Sequence, residues 1–384
     1  SVCRLLPNFE DAYCFFLKIV VYLCQGEWEK LTKYGLVLEG GGAKGSYQIG
    51  AYQALQELGY EFEAVVGTSI GAINGAFIAS GEVDKCKEMW RTLNMSEFEE
   101  PEIKAFDDND DILTIIANAI KIFKNGTISP EPLKRLVYNN LEEDKIRQSQ
   151  MRFGLATLNV TDRKAEDVFA DEIEEGLLLD YIVGSAYLPF FKMEKLHGKY
   201  FLDGGMYNRI PYNMVVDMGL TPVIIRANPK DLRDRNFPKD AIVIEPSTKI
   251  NNVLNFNTER ADKLIQMGYM DAIKKLKNLS GDEYYFEKIS EEEALKIFEA
   301  KVMPGLIMTK EEGQVSSPYR LLFDKYLPMV EENLQLDYDY SLTDALVALA
   351  ETYMAKKNLD KFKTYKIKDI AEQMQEADFY PSRW

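Results

Sequence analysis

The sequence predicts an α/β fold in which helices cover a mostly parallel sheet. Two strand–turn–helix units favour this fold. The first runs over 34–58 and has a glycine cluster at its turn, and the second runs over 64–80 and has Gly67-Thr68-Ser69-Ile70-Gly71 at its turn. Repeated units of this kind build parallel sheets with covering helices. After Lys249 the chain becomes rich in Lys, Glu, Leu and Ala with few strand signals, which predicts a helical C-terminal extension.

The other elements follow from apolar runs and turn residues. The segment Ser129-Pro130 is typical of a helix start, with proline at the first helical position. Further strands are predicted at 152–160, 200–202, 221–227 and 241–245, helices at 111–124 and 180–186, and an acidic surface loop at 96–110.

These patterns divide the chain into a leader (1–33), a catalytic region (34–248) and a mainly helical extension (249–384). The apolar run at 12–24 is interrupted by Lys18 and is too short to span a membrane. Acidic residues precede it, whereas a signal peptide has positive charge there. We interpret the leader as a docked helix or a non-native segment, and a weak membrane-interface anchor is the alternative.

The composition limits the class of partner. The formal net charge is −16, which argues against general nucleic-acid binding and weakens electrostatic adhesion to anionic membranes. Of the four cysteines, Cys86 alone lies in the catalytic region, so no disulfide framework is expected there. These features indicate a cytoplasmic protein, with peripheral membrane contact as a further expectation. The oligomeric state cannot be predicted.

The turn at Gly67-x-Ser69-x-Gly71 is a candidate nucleophile site. A serine between a strand and a helix adopts a strained backbone, and flanking glycines leave room for it. The turn presents the hydroxyl at a helix N-terminus, where free N–H groups and the helix dipole favour developing negative charge. Ser69 is therefore the predicted nucleophile.

The glycine cluster before the first helix is a candidate oxyanion hole. Backbone N–H groups at a glycine-rich turn can stabilise the oxyanion of an acyl-transfer intermediate because no side chain blocks approach. Gly41 and Gly42 are the natural donors. Lys44 either adds positive charge nearby or is a solvated turn residue.

The same cluster also matches a dinucleotide-binding fingerprint, Gly40-x-Gly42-x-x-Gly45. Glu61 and Glu63 lie near the distance expected for a ribose-binding acid. They precede the second strand, however, and a ribose partner belongs at its carboxyl end. This alternative also leaves the serine motif unexplained.

Asp203-Gly204-Gly205 supplies the candidate base. A serine hydroxyl needs a base to become a useful nucleophile, and the chain has one histidine, His197. That histidine precedes the aspartate, against the Ser–acid–His order of α/β-hydrolases, and it lies in a Leu-His-Gly-Lys run typical of a hairpin turn. A direct carboxylate base, Asp203, is the economical interpretation.

Together these motifs resemble the patatin-like phospholipase family, in its bacterial type. The resemblance covers about 34–227. The matching segments are EGGGAKG (39–45), GTSIG (67–71), SAYLPF (185–190), DGG (203–205), and NRIP (208–211) with the VIIRA strand after it.

The resemblance implies a three-layer α/β/α fold and hydrolysis of acyl esters in phospholipids or other lipids, usually without a metal. It implies that Ser69 is the nucleophile and Asp203 the base of a Ser–Asp dyad. Gly40, Gly41 and Gly42 then form the oxyanion hole, supported by Lys44, Gly67, Gly71 and Gly204. Two departures are Lys44, where arginine is common and which lacks the fork geometry of a guanidinium, and Glu39, where aspartate is frequent.

The sequence therefore predicts a serine acyl-ester hydrolase acting on lipids through an acyl-enzyme. The alternative is an inactive relative that binds a lipid or a partner. No cofactor is expected, and the lack of an EF-hand pattern predicts calcium independence. Near the C-terminus, apolar residues at helical spacing predict a helix that packs against the catalytic core, with a lid or an oligomer contact as alternatives; they are Leu342, Leu346, Leu349 and Tyr353.

Overall fold

A computed structural model describes most of the chain. The described residues are 32–93, 129–228, 236–248, 250, 258–308 and 317–380. The predicted loop at 96–110, the predicted helix at 111–124 and all but the end of the leader lie outside them.

The centre of the described part is a seven-stranded sheet. Its strands are β1 (Tyr34–Leu38), β2 (Phe62–Thr68), β3 (Arg152–Asn159), β4 (Lys164–Phe169), β5 (Phe201–Asp203), β6 (Thr221–Ile225) and β7 (Ile242–Ile244). The order is β4-β3-β2-β1-β6-β7, and β5 also pairs with β3. Only the β3–β4 and β3–β5 pairs are antiparallel, so the predicted mostly parallel sheet is confirmed.

Helices flank the sheet on both faces. They are α1 (Gly45–Glu57), α2 (Ile70–Ala79), α3 (Val83–Thr92), α4 (Glu131–Tyr138), α5 (Glu143–Arg147), α6 (Leu178–Ser185), α7 (Tyr212–Asp217) and α8 (Thr258–Lys277). Alternate residues of β1 separate the two faces: Leu36 and Leu38 enter the larger apolar cluster under α1 and α2, whereas Val37 enters the smaller one under α7. This alternation gives three layers, as the family resemblance implied.

One strand, β4, had no sequence signal. Three of its six residues, KAEDVF, are charged, and its burial does not alternate, because only Glu166 and Phe169 are buried. It pairs with β3 at the edge of the sheet. The predicted strand at 200–202 is present as β5, and it ends on Asp203 itself.

The C-terminal region is mainly helical, as predicted. Its elements are β8 (Tyr285–Glu287), α9 (Glu291–Lys301), α10 (Met303–Met308), α11 (Pro318–Leu321), a π-helical turn (Leu322–Tyr326), α12 (Leu327–Leu334), α13 (Leu342–Lys356), β9 (Thr364–Lys366) and α14 (Ile367–Gln373). The two strands pair in parallel. No helix in the described ranges is both long enough and apolar enough to cross a membrane.

The C-terminal helices build their own apolar core. Leu346, Leu349 and Tyr353 of α13 are buried in it together with Phe298 of α9. The prediction that these α13 residues pack against the catalytic core is therefore wrong. The spacing correctly indicated an apolar face, but the neighbouring helices of the same region cover that face.

Helix α8 lies beyond the boundary at 248/249 that the composition indicated, yet it packs along α1 inside the first core. The change from one core to the other therefore lies between Lys277 and Tyr284. A buried carboxylate, Asp271 of α8, bridges the two parts by accepting hydrogen bonds from Tyr47 (3.1 Å) and from Tyr285 of β8 (2.9 Å).

Candidate active site

Ser69 lies at the turn between β2 and α2, as the sequence predicts. Its backbone has φ 55° and ψ −126°, a strained conformation for a residue with a side chain. The flanking glycines are required by close backbone packing. A Cβ on Gly67 would lie 2.3 Å from the Gly71 carbonyl carbon, and one on Gly71 would lie 2.4 Å from the Leu38 oxygen.

The structure brings Ser69 and Asp203 together. Ser69 Oγ donates a hydrogen bond of 2.6 Å to Asp203 Oδ2, and the Gly205 N–H donates one of 2.7 Å to Oδ1. Both side chains are buried. Burial raises the pKa of Asp203 to about 6, although the hydrogen bonds from Ser69 and Gly205 act in the opposite direction. The carboxylate is thus a stronger base than an exposed aspartate.

Backbone contacts fix the position of Asp203. Its N–H donates to the Tyr187 carbonyl at 2.8 Å, and it pairs with Thr157 in the β3–β5 ladder. The next residue, Gly204, passes so close to β3 that a Cβ on it would lie 2.1 Å from the Ala156 oxygen. A glycine after the base is therefore a packing requirement.

The glycine loop lies beside the nucleophile, and a Cβ on Gly40 would lie 3.4 Å from Ser69 Cβ. One part of the prediction is wrong here. The Gly40 N–H already donates to the Arg209 carbonyl at 3.1 Å, so it is not available to an oxyanion. Gly42 has φ 57°, and a Cβ on Gly41 would lie 2.6 Å from Ala227 Cβ, so both positions favour glycine.

Glu39, noted in the sequence only as a departure from aspartate, anchors this loop. Its fully buried carboxylate accepts the N–H groups of Ala227 at 2.6 Å and Asn228 at 2.9 Å. It also lies 3.1 Å from the guanidinium of Arg209 and 3.7 Å from that of Arg226. The carboxylate therefore ties the end of β1 to the segment after β6 and to the NRIP segment.

Lys44 is buried, and its ammonium donates to the side-chain oxygen of Asn228. The alternative that Lys44 is a solvated turn residue is therefore wrong. The Asn228 amide in turn donates to the Gly40 carbonyl at 3.4 Å.

A buried asparagine that the sequence analysis missed supports the other end of the loop. Asn74 of α2 donates 2.9 Å hydrogen bonds to the Gly45 carbonyl and to Gln48 Oε1. Its oxygen accepts the Trp90 indole N–H at 3.0 Å and the Cys86 thiol at 3.4 Å. A lone asparagine inside the apolar helix at 70–79 was the available signal, because a buried amide requires partners.

His197 lies in the predicted hairpin turn. It is exposed, with φ 45°, and Leu196 and Lys199 exchange backbone hydrogen bonds across it. Glu61 and Glu63 are exposed at the start of β2, the opposite end of that strand from Ser69. They lie at the wrong sheet edge for a ribose partner of the glycine loop, which removes the dinucleotide alternative. In the part of the chain that the structure describes, no group of three or more His, Cys, Asp or Glu residues could hold a metal.

Comparison with known proteins relates part of the chain to a family. Residues 36–216 match the family model of the patatin-like phospholipases. This segment is a patatin-like phospholipase domain.

The patatin-like phospholipase domain also matches curated proteins over parts of their length. A 61-residue segment is 56% identical to lysophospholipase nte1 of Aspergillus terreus and covers 14% of this chain and 4% of that protein. Over 196 residues the chain is 28% identical to patatin-like phospholipase domain-containing protein 6 of Homo sapiens, covering 49% of this chain and 13% of that protein. The chain spans 17% or less of the length of the curated relatives that match first.

Among solved structures, VipD from Legionella pneumophila is similar to this chain. The TM-score is 0.41 at 14% sequence identity, and the alignment covers 91% of this chain and 88% of that one.

Proposed function

We propose that this protein is a serine acyl-ester hydrolase that acts on lipids, as a phospholipase A or related lipid acyl hydrolase, through Ser69 and Asp203. The observation that carries the proposal is the 2.6 Å hydrogen bond from the serine hydroxyl to a buried carboxylate. The membership of 36–216 in a phospholipase family supports a lipid ester as the substrate.

In the first half of the reaction, Asp203 takes the proton of Ser69 Oγ while the oxygen attacks the ester carbonyl carbon. The tetrahedral intermediate then collapses, and the proton on Asp203 passes to the departing alcohol oxygen. The acyl group remains as an ester on Ser69. The carboxylate suits both transfers because its pKa of about 6 lies near neutral pH.

In the second half, water replaces the alcohol. Asp203 accepts a proton from the water while the water oxygen attacks the acyl carbon. That proton then passes from Asp203 to Ser69 Oγ as the fatty acid leaves. The same carboxylate thus serves as base and acid in each half, and no other side chain needs to exchange a proton.

The N–H groups of Gly41 and Gly42 are the oxyanion donors in this proposal. The described residues offer no acceptor to either group, whereas Gly40 is already paired. The N-terminus of the ten-residue helix α2 lies at the same point and adds the positive end of its dipole.

We propose that the protein acts at lipid surfaces from the cytoplasmic side. Met206 and Tyr207 follow the base by three and four residues and are 42% and 49% exposed. Large apolar side chains beside the dyad suit contact with the hydrocarbon of a lipid substrate.

The test is hydrolysis of short- and medium-chain p-nitrophenyl esters, followed by phospholipids and lysophospholipids, by the wild type, Ser69→Ala and Asp203→Asn. We expect turnover by the wild type and none by the two folded variants. Activity that survives in Asp203→Asn would contradict the dyad. A wild type inactive on every ester would favour the alternative, an inactive relative that binds lipid.

A further inference from the structure

Ser185, the last residue of α6, contacts the backbone of the nucleophile. Its side chain is fully buried, and its Oγ accepts the Ser69 N–H at 2.9 Å. The same Oγ donates to the Ala156 carbonyl of β3 at 2.7 Å. The hydroxyl therefore links the strained turn that carries Ser69 to the central sheet.

The segment that carries Ser185 also holds the base. Two residues later, the Tyr187 carbonyl accepts the Asp203 N–H at 2.8 Å. Two residues of this short segment, Ser185 and Tyr187, thus contact the backbones of the two dyad members. The contact to Ser69 comes from a side chain, so it is the one that a substitution can remove.

The contact point on β3 is shared as well. Ala156 O, which accepts the Ser185 hydroxyl, is also the atom against which Gly204 packs. The next residue of β3, Thr157, pairs with Asp203. Ser185 therefore links Ser69 to β3, and the β3–β5 ladder links Asp203 to β3. Because both links reach the same short stretch of β3, they together fix the distance between nucleophile and base.

The hydroxyl suits this position chemically. The Ser69 N–H is buried at the start of α2, where it has no partner within the helix, and an unpaired buried N–H is costly. The Ala156 carbonyl lies within reach of the same hydroxyl and accepts its hydrogen. The Ser185 hydroxyl accepts a hydrogen bond from the Ser69 N–H and donates one to the Ala156 carbonyl. Alanine can do neither, and a group that only donates or only accepts can do one of the two.

We propose that Ser185 is a positioning residue for the Ser69–Asp203 dyad. Its two hydrogen bonds hold the turn that carries Ser69 in the position where Ser69 Oγ can donate a hydrogen bond to the Asp203 carboxylate. This inference rests on the proposed hydrolase function. Ser185 takes no part in proton transfer, because its hydrogen is committed to Ala156 and its acceptor position to Ser69.

A consequence can be measured on Asp203. The hydrogen bond from Ser69 lowers the pKa of this carboxyl against the effect of burial. If loss of the Ser185 hydroxyl moves Ser69 Oγ away, the pKa of Asp203 rises further. The acid limb of the pH profile of kcat/KM then shifts to higher pH, which a general loss of folded protein does not cause.

The kinetic test compares Ser185→Ala with Ser80→Ala. Ser80 lies at the other end of α2, and its hydroxyl bonds only locally, to Phe77 O at 3.1 Å and Glu82 at 3.4 Å. We expect Ser185→Ala to lower kcat about 10- to 100-fold with KM little changed, since small misplacements of reacting groups have effects of this size. Ser80→Ala should behave as the wild type. Ser185→Cys keeps a weaker donor and acceptor, so its kcat should lie between those of the wild type and Ser185→Ala. It also provides a folded variant for the test if Ser185→Ala is unstable.

A second measurement separates failure of this inference from failure of the proposed function. The carboxyl ¹³C resonance of Asp203, assigned with Asp203→Asn, reports its pKa whether or not any ester is hydrolysed. A higher pKa in Ser185→Ala or Ser185→Cys than in the wild type supports the positioning role. An unchanged pKa in both variants, or an unchanged kcat and acid limb in an active enzyme, overturns it.

Discussion

In the proposed mechanism, the buried carboxylate of Asp203 activates Ser69 without a histidine. An exposed aspartate is a weak base near neutral pH, because its pKa lies about three units below pH 7. Burial removes water from the charged form and raises the pKa to about 6, while the Gly205 N–H holds the second oxygen in place. The site thus reaches the basicity of a free imidazole by desolvation.

The first prediction concerns pH. Protonated Asp203 cannot accept the serine proton, so kcat/KM should fall about tenfold per pH unit below about pH 6 and level off above it. Steady-state kinetics from pH 4.5 to 8.5 measure this, with tryptophan fluorescence to confirm that the protein stays folded. A rate that is level down to pH 5 in folded protein would contradict the assignment of Asp203 as base.

The second prediction concerns Glu39, whose carboxylate faces two buried guanidinium groups. Glu39→Gln keeps the size but removes the negative charge that faces Arg209 and Arg226, and breaking a buried ion pair typically costs about 3–5 kcal/mol. Urea unfolding should show a loss of this size.

The matched control for Glu39 is Glu63→Gln. Glu63 pairs with Lys33, and both side chains are largely exposed at 47% and 64%. Such pairs contribute about 0–1 kcal/mol, so this variant should unfold close to the wild type. Equal losses in both variants would mean that burial of the Glu39 network does not matter to stability.

At the level of elements, the active site depends on how closely β1, β2 and α2 pack. Only Ser69 separates the end of β2 from the start of α2, and Gly71 in the first turn of the helix packs against the end of β1. This close packing aims the N-terminus of α2 at the space between Ser69 and the glycine loop.

The third prediction tests this packing with two alanines in one helix. Gly71→Ala places a Cβ 2.4 Å from the Leu38 carbonyl oxygen, so β1 and α2 must separate and activity should fall at least 100-fold. Gly75→Ala, one turn later, meets the side chains of Phe153 and Val65 at 3.3 Å, and these can yield. Ester hydrolysis and melting temperature compare the two, and equal activity losses would rule out a specific role for the Gly71 contact.

Much of this arrangement could be predicted from the sequence. The Gly67-x-Ser69-x-Gly71 turn is local, so its place between strand and helix follows from adjacent residues. The use of the Gly40 N–H by Arg209 could not be predicted, because that bond joins segments 169 positions apart (209−40). Strand β4 was missed for a related reason: its pairing with β3, rather than its own apolar pattern, makes it a strand.

At the scale of the whole molecule, the two largest of the three apolar clusters in the described residues meet at a buried polar group. Asp271 accepts hydrogen bonds from Tyr47 of α1, Tyr285 of β8 and the Ser247 N–H. Burial raises the pKa of this carboxyl despite these three donors. The boundary at 248/249 that the composition indicated comes before α8, because α8 has the charged composition of the extension. Its apolar face nevertheless packs in the same cluster as the sheet and α1.

The fourth prediction tests the bridge at Asp271. Tyr285→Phe removes one donor from the buried carboxyl, which should lower the free energy of unfolding by about 1–3 kcal/mol and increase hydrogen exchange in α8 and β8. Tyr284→Phe is the control, since that neighbouring tyrosine is also buried but its hydroxyl makes no hydrogen bond to another described residue. Similar exchange in both variants would mean that Asp271 does not join the two parts.

The position of β1 has a consequence for how the protein is made. This strand lies in the middle of the sheet, and its partner β6 is synthesised 187 residues later (221−34). One edge of β1 therefore stays open while the ribosome completes most of the domain, which makes this stage slow and prone to aggregation. The proposed base, Asp203, also leaves the ribosome 134 residues after the proposed nucleophile, Ser69 (203−69). In the proposed mechanism a nascent chain therefore carries Ser69 without the carboxylate that activates it, so ester hydrolysis begins only when the fold is nearly complete.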